Sequence, residues 1–379
     1  MATVYFDNAA TTQMRDAVID CMAEVMKNNF GNPSSTHSYG RQSKAIIESC
    51  RKSIASHFKV SASEIVFTSG GTEADNLILR STVRDLGVKE IITSKIEHHA
   101  ILHTVEALEQ EYGISVQYVN LESDGHIDHE HLEQLLNSDK KQLVSLMHIN
   151  NEIGNKLDIS KIANLCKHYD ALFHSDTVQS VGHYQLDLDA IPINFIAASA
   201  HKFHGPKGVG FAFIRKNSGI KGSIFGGEQE RGYRAGTESV HNIVGLDKAL
   251  QLSYENLKTE REYVLGIKDY FIKSLKSILP EVRFNGSCSN LEKSTYTLIN
   301  VCLPFAEEKA AMLQFQLDLK GIACSKGSAC QSGSSQNSHV LTEILNEDDL
   351  KKPSVRFSFS KYNTKEDVDY VIKVLKEFA

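Results

Sequence analysis

Along the first half of the chain, short apolar runs take turns with stretches whose apolar residues recur at helical spacing. Runs at 64–68, 90–93, 115–120, 143–149 and 172–175 read as strands. The stretch opening at Ser69-Gly-Gly-Thr-Glu73 and continuing to about residue 80 reads as a helix, as do 99–112, 128–136 and 160–169. Strand and helix in regular turn predict a mostly parallel sheet covered by helices on both faces. Ahead of this series, 3–12 reads as an extended start with a polar turn, 16–28 as a helix and 30–40 as a loop by composition. After it, an apolar strand beginning at Phe195 runs into Ser199-Ala-His201-Lys202, and a turn with Gly205, Pro206, Gly208 and Gly210 leads into a strand at 209–215. A long helical region from about 241 to 278 follows, and beyond Pro280 the pattern shifts to the shorter elements of an α+β module. The division predicted is a large domain over 16–255 and a small domain made of 1–15 and 256–379.

Open parallel sheets collect ligands at the carboxyl ends of their strands. Polar candidates fall there in series: His98, then Asn150 and Asn151, then Asp176 and Gln179, then Lys202. A lysine at the mouth of an apolar strand is a candidate for carbonyl chemistry, because partial desolvation disfavours the ammonium and frees the amine. A solvated lysine after a strand is the plainer alternative. Ser199 and His201 set hydrogen-bonding groups beside it. Gly71 and Thr72 lie where a strand passes through a glycine turn into a helix, which is either an anion site built on free N–H groups or a plain tight connection. The turn lacks the lysine of a P-loop and no G-x-G-x-x-G occurs, so a nucleotide is disfavoured. The convergence of these residues outweighs any one of them.

Composition narrows the choice. The 379 residues allow more than one hydrophobic core, and 41% hydrophobic with 23% charged residues is a globular balance. A formal net charge of −6 without a basic stripe argues against nucleic acid as a partner. No apolar run approaches the ~20 residues of a membrane span, and the start of the chain has no basic region followed by an apolar one, so no membrane contact and a cytoplasmic location are expected. Seven cysteines without a C-x-x-C pair suggest neither a disulfide framework nor a zinc site, and Asp128-His-Glu-His131 reads as a solvated first helical turn. Cys330 differs from the other cysteines. It sits in a Ser/Gly-rich stretch, 324–338, without apolar periodicity, a poor place for a core cysteine and a suitable one for a thiol that travels. In Ser354-Val-Arg-Phe-Ser-Phe-Ser360 strict alternation puts Val355, Phe357 and Phe359 on one face and Arg356 on the other, as a solvated strand residue or a carboxylate binder. The glycine-punctuated stretch 226–237 carries two arginines and ends at Thr237.

Ser-Ala-His-Lys at Lys202, His-Ser-Asp-Thr-Val-Gln around Asp176, Ser-Gly-Gly-Thr-Glu at Gly71, Asn-Pro-Ser-Ser at 32–35, Gly-Ser-Ala-Cys at Cys330 and Arg-Phe-Ser from Arg356 together resemble the class V aminotransferase family, and within it the NifS/IscS-like cysteine desulfurases. The likeness spans nearly the whole chain. It implies a fold-type I pyridoxal-phosphate enzyme: an α/β large domain with a mostly parallel seven-stranded sheet, a smaller α+β domain, and a homodimer. For the cofactor it implies Lys202 as the carbonyl-capturing lysine, Asp176 against the ring nitrogen, Gln179 at the phenolic oxygen and His98 stacked on the ring. Gly71 and Thr72 would hold the phosphate, Ser199 and His201 would flank the cofactor, and Thr237 would reach the phosphate in the partner subunit. Asn151 would touch cofactor or substrate, and Arg356 the carboxylate of L-cysteine. Cys330 would take the sulfur as a persulfide, leaving L-alanine, and pass it to an acceptor such as an iron–sulfur scaffold, with a transient iron–sulfur ligand as its only metal role. No function for Cys324 is implied. A selenocysteine lyase, another class V enzyme in which Cys330 is incidental, and a non-catalytic sulfur-relay or scaffold protein are the alternatives. IscS-type members carry a scaffold-engaging tail after the last helix, whereas this sequence reaches Ala379 directly after a helix at about 367–378, so docking through such a tail is not expected.

Overall fold

In a computed structural model of the protein, residues 3–326 and 338–378 are described. The chain opens with β1 (Val4–Tyr5), α1 (Asp16–Asn28) and α2 (Ser38–His57). It then alternates through β2 (Ile65–Thr68), α3 (Gly71–Leu86), β3 (Glu90–Thr93), α4 (His99–Tyr112), β4 (Ser115–Tyr118), α5 (His129–Leu136), β5 (Gln142–Ser145), α6 (Ile159–His168) and β6 (Leu172–Asp176). Two strands follow in succession, β7 (Phe195–Ser199) and β8 (Gly210–Ile214). These seven strands form one sheet in the order β2-β8-β7-β6-β5-β3-β4. Only β8 runs against its neighbours, β2 and β7. The expected mostly parallel seven-stranded α/β sheet is therefore what forms. Along β2, β3, β5, β7 and β8 every residue is buried, the condition of a sheet covered on both faces, and this is why their central residues are apolar without alternation. Helices α3 and α4 stop on Gly87 and Gly113, at φ of 70° and 62°, the left-handed conformation that ends a helix at least cost to glycine.

After the sheet come α7 (Val240–Glu255), α8 (Leu257–Ile278), β9 (Arg283–Phe284), β10 (Leu298–Cys302), α9 (Glu307–Leu319), β11 (Ile322–Ala323), α10 (His339–Ile344), α11 (Glu347–Leu350), β12 (Ser354–Ser358) and α12 (Lys365–Phe378). A three-stranded antiparallel sheet, β12-β10-β9, is formed here, and β1 pairs in parallel with β11. One hydrophobic cluster joins Val4 and Phe6 to Phe271, Leu275, Val301, Phe357 and Leu375, so the first residues of the chain pack with α8 and the elements after it. The ring of Phe6 lies 5.3–6.4 Å from those of Phe271, Phe357 and Phe359, edge-on to each.

Three readings of the sequence need correction. The loop predicted through residue 40 ends earlier, because Ser38-Tyr39-Gly40 is already the first turn of α2, capped by His37 Nδ1 accepting from the Gly40 N–H at 3.4 Å. The strand predicted over 143–149 stops at Ser145; the Met147 N–H goes to Glu97 Oε1 at 2.9 Å instead of to β3, while the Leu146 and His148 N–H groups still donate to β6 carbonyls. The single helical region beyond 241 is two helices that break at Asn256.

Candidate active site

The carboxyl ends of β6 and β7 and the first turns of α3 and α4 converge on one cavity of about 220 Å³. From β7 and the single turn after it come Ser199, His201 and Lys202; from β6 and the turn after it, Asp176 and Gln179. Helix α3 contributes Gly71 and Thr72, the N-cap of α4 contributes His98, and the loop after β5 contributes Asn151. The facing wall is Ala9, Ala10 and Arg356. Ten of the predicted residues thus share one space. Thr237 does not reach it within the chain: it is exposed, on a separate depression with Arg234 and Ser239. Cys330 lies outside the described residues.

Lys202 Nζ donates to the carbonyls of Ala9 at 2.6 Å and Ala10 at 2.9 Å, and Gln179 Nε2 donates to the same Ala9 carbonyl at 2.9 Å. Asp176 is buried and accepts from the Val178 N–H at 2.9 Å. Burial raises its carboxyl to about 6, against the opposing pull of that N–H and of the Lys202 ammonium. His98 accepts from the Ala100 N–H through Nδ1 at 3.1 Å, so its proton resides on Nε2. Burial first, then the charges of Lys202, His339 and His103, lower it to about 4, and it is neutral near pH 7. His201, beside Thr11 Oγ1 at 3.2 Å, is lowered to about 4 by burial and then by Lys202 and Lys207.

Of the two readings of Arg356, the solvated strand residue is ruled out: it is 1% exposed. Nη1 donates to the Asn151 carbonyl and Nη2 to Asp7 Oδ1, both at 2.8 Å.

Sequence reasoning missed the segment 7–10, read only as a polar turn, whose carbonyls and carboxylate face both cations of the site. Its signal is Asp7-Asn8 directly behind apolar Phe6, a charge where the strand should end. It also missed Asp75, a carboxyl on the inward face of α3. Asp75 lines the cavity, is 1% exposed and lies 3.4 Å from His174 Nε2. Burial, then the Asp176 and Glu97 charges, drive its carboxyl well above the ordinary range. Asp75 therefore holds its proton more firmly than an exposed carboxyl would.

The donor set fits a ring that bears a phosphate and a basic nitrogen. No side chain caps α3, which leaves its first N–H groups directed at the cavity. At Gly71 a Cβ would come within 2.5 Å of Val178 Cγ2, so only glycine lets the helix start come this close to the Asp176 turn. An ionisable buried carboxyl, Asp176, and the amine of Lys202 line the same cavity.

The model of the class V aminotransferases matches residues 4–371, and the chain belongs to that family. Its members use pyridoxal phosphate, and that is the cofactor of this protein. The chain is 40% identical over 375 residues to a cysteine desulfurase, IscS, of Dictyoglomus turgidum, covering 98% of this chain and 93% of the relative. It is likewise 40% identical to a protein named putative cysteine desulfurase IscS 1 of Bacillus subtilis, with 98% and 97% covered. Among solved structures, a NifS-like protein superposes with a TM-score of 0.90 at 34% identity over 99% of both chains. A structure described as SspA in complex with cysteine superposes with a TM-score of 0.81 at 30% identity, over 96% of this chain and 100% of the other.

Proposed function

We propose that this pyridoxal-phosphate-dependent cysteine desulfurase takes sulfur from L-cysteine onto Cys330 and hands it to a protein acceptor, working as a cytoplasmic homodimer. The observation that carries the reading is the meeting of Lys202, Asp176 and Arg356 in one cavity of a class V chain. Pyridoxal phosphate, when bound, supplies a carbonyl that captures an amine and a ring that spreads negative charge from the substrate's Cα. Gly71 and Thr72 N–H groups would hold the phosphate at the start of α3. Asp176 would keep the proton on the ring nitrogen, and His98, Gln179, Ser199 and His201 would hold the ring. Arg356 takes the substrate carboxylate with Asn151 beside it. Lys202 Nζ, drawn from its rest on the Ala9 and Ala10 carbonyls, accepts the Cα proton.

Cys330 thiolate then attacks the substrate sulfur: an S–S bond forms, the C–S bond breaks, and a Cys330 persulfide and L-alanine result. The other six cysteines support this assignment. Burial raises every one of their thiols, Cys166 and Cys324 to about 12 and Cys288 to about 11, so none is a thiolate near pH 7. Cys324 takes a structural part, packed in the same cluster as Phe6 and Val355. The dimer is supported by Phe225, 86% exposed directly before the stretch that ends at Thr237. No helix of the described residues is long and apolar enough to cross a membrane.

The test is to supply L-cysteine to the holoenzyme, quantify L-alanine, and map added sulfur by mass spectrometry. One sulfur on the Cys330 peptide with matching alanine is expected; sulfur on Cys324, or alanine made normally by Cys330→Ser, overturns the assignment.

A further inference from the structure

A guanidinium keeps its proton at any working pH, so Arg356 carries a full charge while 1% exposed. A charge at that depth without a counter-ion costs several kcal/mol. Asp7 supplies the counter-ion, and its place is fixed by backbone as well as by attraction: it forms a parallel bridge with Ser358, two residues beyond Arg356, and its carbonyl accepts from Tyr5 Oη at 3.2 Å. One donor of the guanidinium goes to Asp7 and one to the Asn151 carbonyl. The third nitrogen, Nε, is buried and finds no partner among the described residues. The side chain is thus neutralised from one edge while a further donor stays unspent.

We propose that Asp7 is the resident counter-ion of Arg356, that the α-carboxylates of substrate and product must share the guanidinium with it, and that this competition keeps L-alanine from holding the site. The proposal rests on Arg356 as the carboxylate-binding group. A second carboxylate entering beside the Arg356–Asp7 pair leaves two negative charges on one positive, and like charges so placed oppose each other strongly. Arg356 therefore orients a carboxylate without binding it as tightly as an unpaired guanidinium would. Substrate and product present the same α-carboxylate, so extra affinity there would be spent equally on both and would slow release without speeding the chemistry. Asp7 acts through Arg356, as a positioning and affinity-setting residue.

The experiment uses holoenzyme titrated with L-alanine and followed by the change in near-visible absorbance. Asp7→Asn is expected to lower the Kd for L-alanine about tenfold, a like charge having been removed. KM for L-cysteine and kcat should fall together, because product leaves more slowly. Without ligand Asp7→Asn should melt at a lower temperature than wild type, and saturating L-alanine should raise its melting temperature by more, since the ligand carboxylate replaces the missing counter-ion. Asp7→Glu should restore the wild-type pattern, and Asp7→Ser gives a second neutral variant should Asp7→Asn fail to fold. In an Arg356→Ala background the neutral variants should leave the Kd unchanged. An unchanged or higher Kd in both Asp7→Asn and Asp7→Ser overturns the proposal. If Arg356→Ala alone leaves L-alanine affinity unaltered, it is the carboxylate role of Arg356 that has failed.

Discussion

The two walls of the cavity are built in opposite ways. One wall is the end of the seven-stranded sheet, where Asp176, Ser199 and Lys202 are carried by neighbouring parallel strands or the turns directly after them. The other is assembled from the start of the chain and from β12; Asp7 and Arg356 meet across 349 positions of sequence. The first wall is a property of the sheet, so each group is set by its strand and depends little on its neighbours' side chains. The second exists only when the N-terminal segment docks on the module that follows α8. In the function proposed above, Lys202 and Asp176 act from the sheet end, and Arg356 acts from the joint.

Lys202→Ala attacks the first wall and carries the largest expected effect. Turnover should fall roughly ten-thousand-fold, the upper range for removing a positioned proton carrier, and borohydride should no longer fix the cofactor to the protein. Fixation on another lysine peptide would move the site. Asp176→Asn should keep the cofactor bound and lower kcat roughly a hundred- to a thousand-fold, because the carboxylate that holds the ring-nitrogen proton is gone; an unchanged kcat removes Asp176 from the chemistry. Gly71→Ala sharpens the comparison from within the same wall. Its Cβ meets Val178 at 2.5 Å, which shifts the start of α3 away from the Asp176 turn. Cofactor affinity is expected to drop about tenfold, the scale of losing aligned N–H groups at one helix start, with equilibrium dialysis as the measure.

The difference between the walls also explains what the sequence could reveal. Lys202, Asp176 and Gly71 each sit in a short local pattern, apolar strand then polar turn, and a strand end in a parallel sheet is where ligands gather. Lys202, Asp176 and Gly71 could therefore be picked out before the fold was known. The turn of Asp7 to Arg356 had no such mark, since a contact across most of the chain leaves no periodicity in either segment. Alternation assigned Arg356 to the face away from Val355 correctly, yet could not tell solvent from a second buried face. Asp75 was hidden for a related reason: it is the one carboxyl among the buried residues of α3, and it shows its meaning only beside His174. The start of α2 was masked by its own polar first turn.

A second lysine offers the gentlest test of the division between chemistry and scaffold. Lys268, on α8, is 0% exposed, like no other lysine among the buried residues, and donates to Ser294 Oγ at 2.9 Å and the Thr295 carbonyl at 2.6 Å. Burial lowers it from 10.5 to about 8. Between those values the unfolded chain holds the proton and the folded chain does not, so stability from this group rises with pH from about 8 to 10.5, while below 8 both states are charged and the burial cost stands in full. A displacement of that size is worth about 3 kcal/mol across the window. Lys268→Met removes the titration without touching the cavity. Urea unfolding at a series of pH values should therefore show a smaller gain for the variant than for wild type between pH 8 and 10.5. Turnover of the folded variant should stay within about twofold of wild type, the behaviour of a side chain away from the reacting groups. Parallel pH profiles would show that Lys268 is as charged in the fold as in the open chain. A loss of turnover comparable to Lys202→Ala would erase the distinction between the two lysines, and with it the claim that the chemistry is confined to the end of the large sheet.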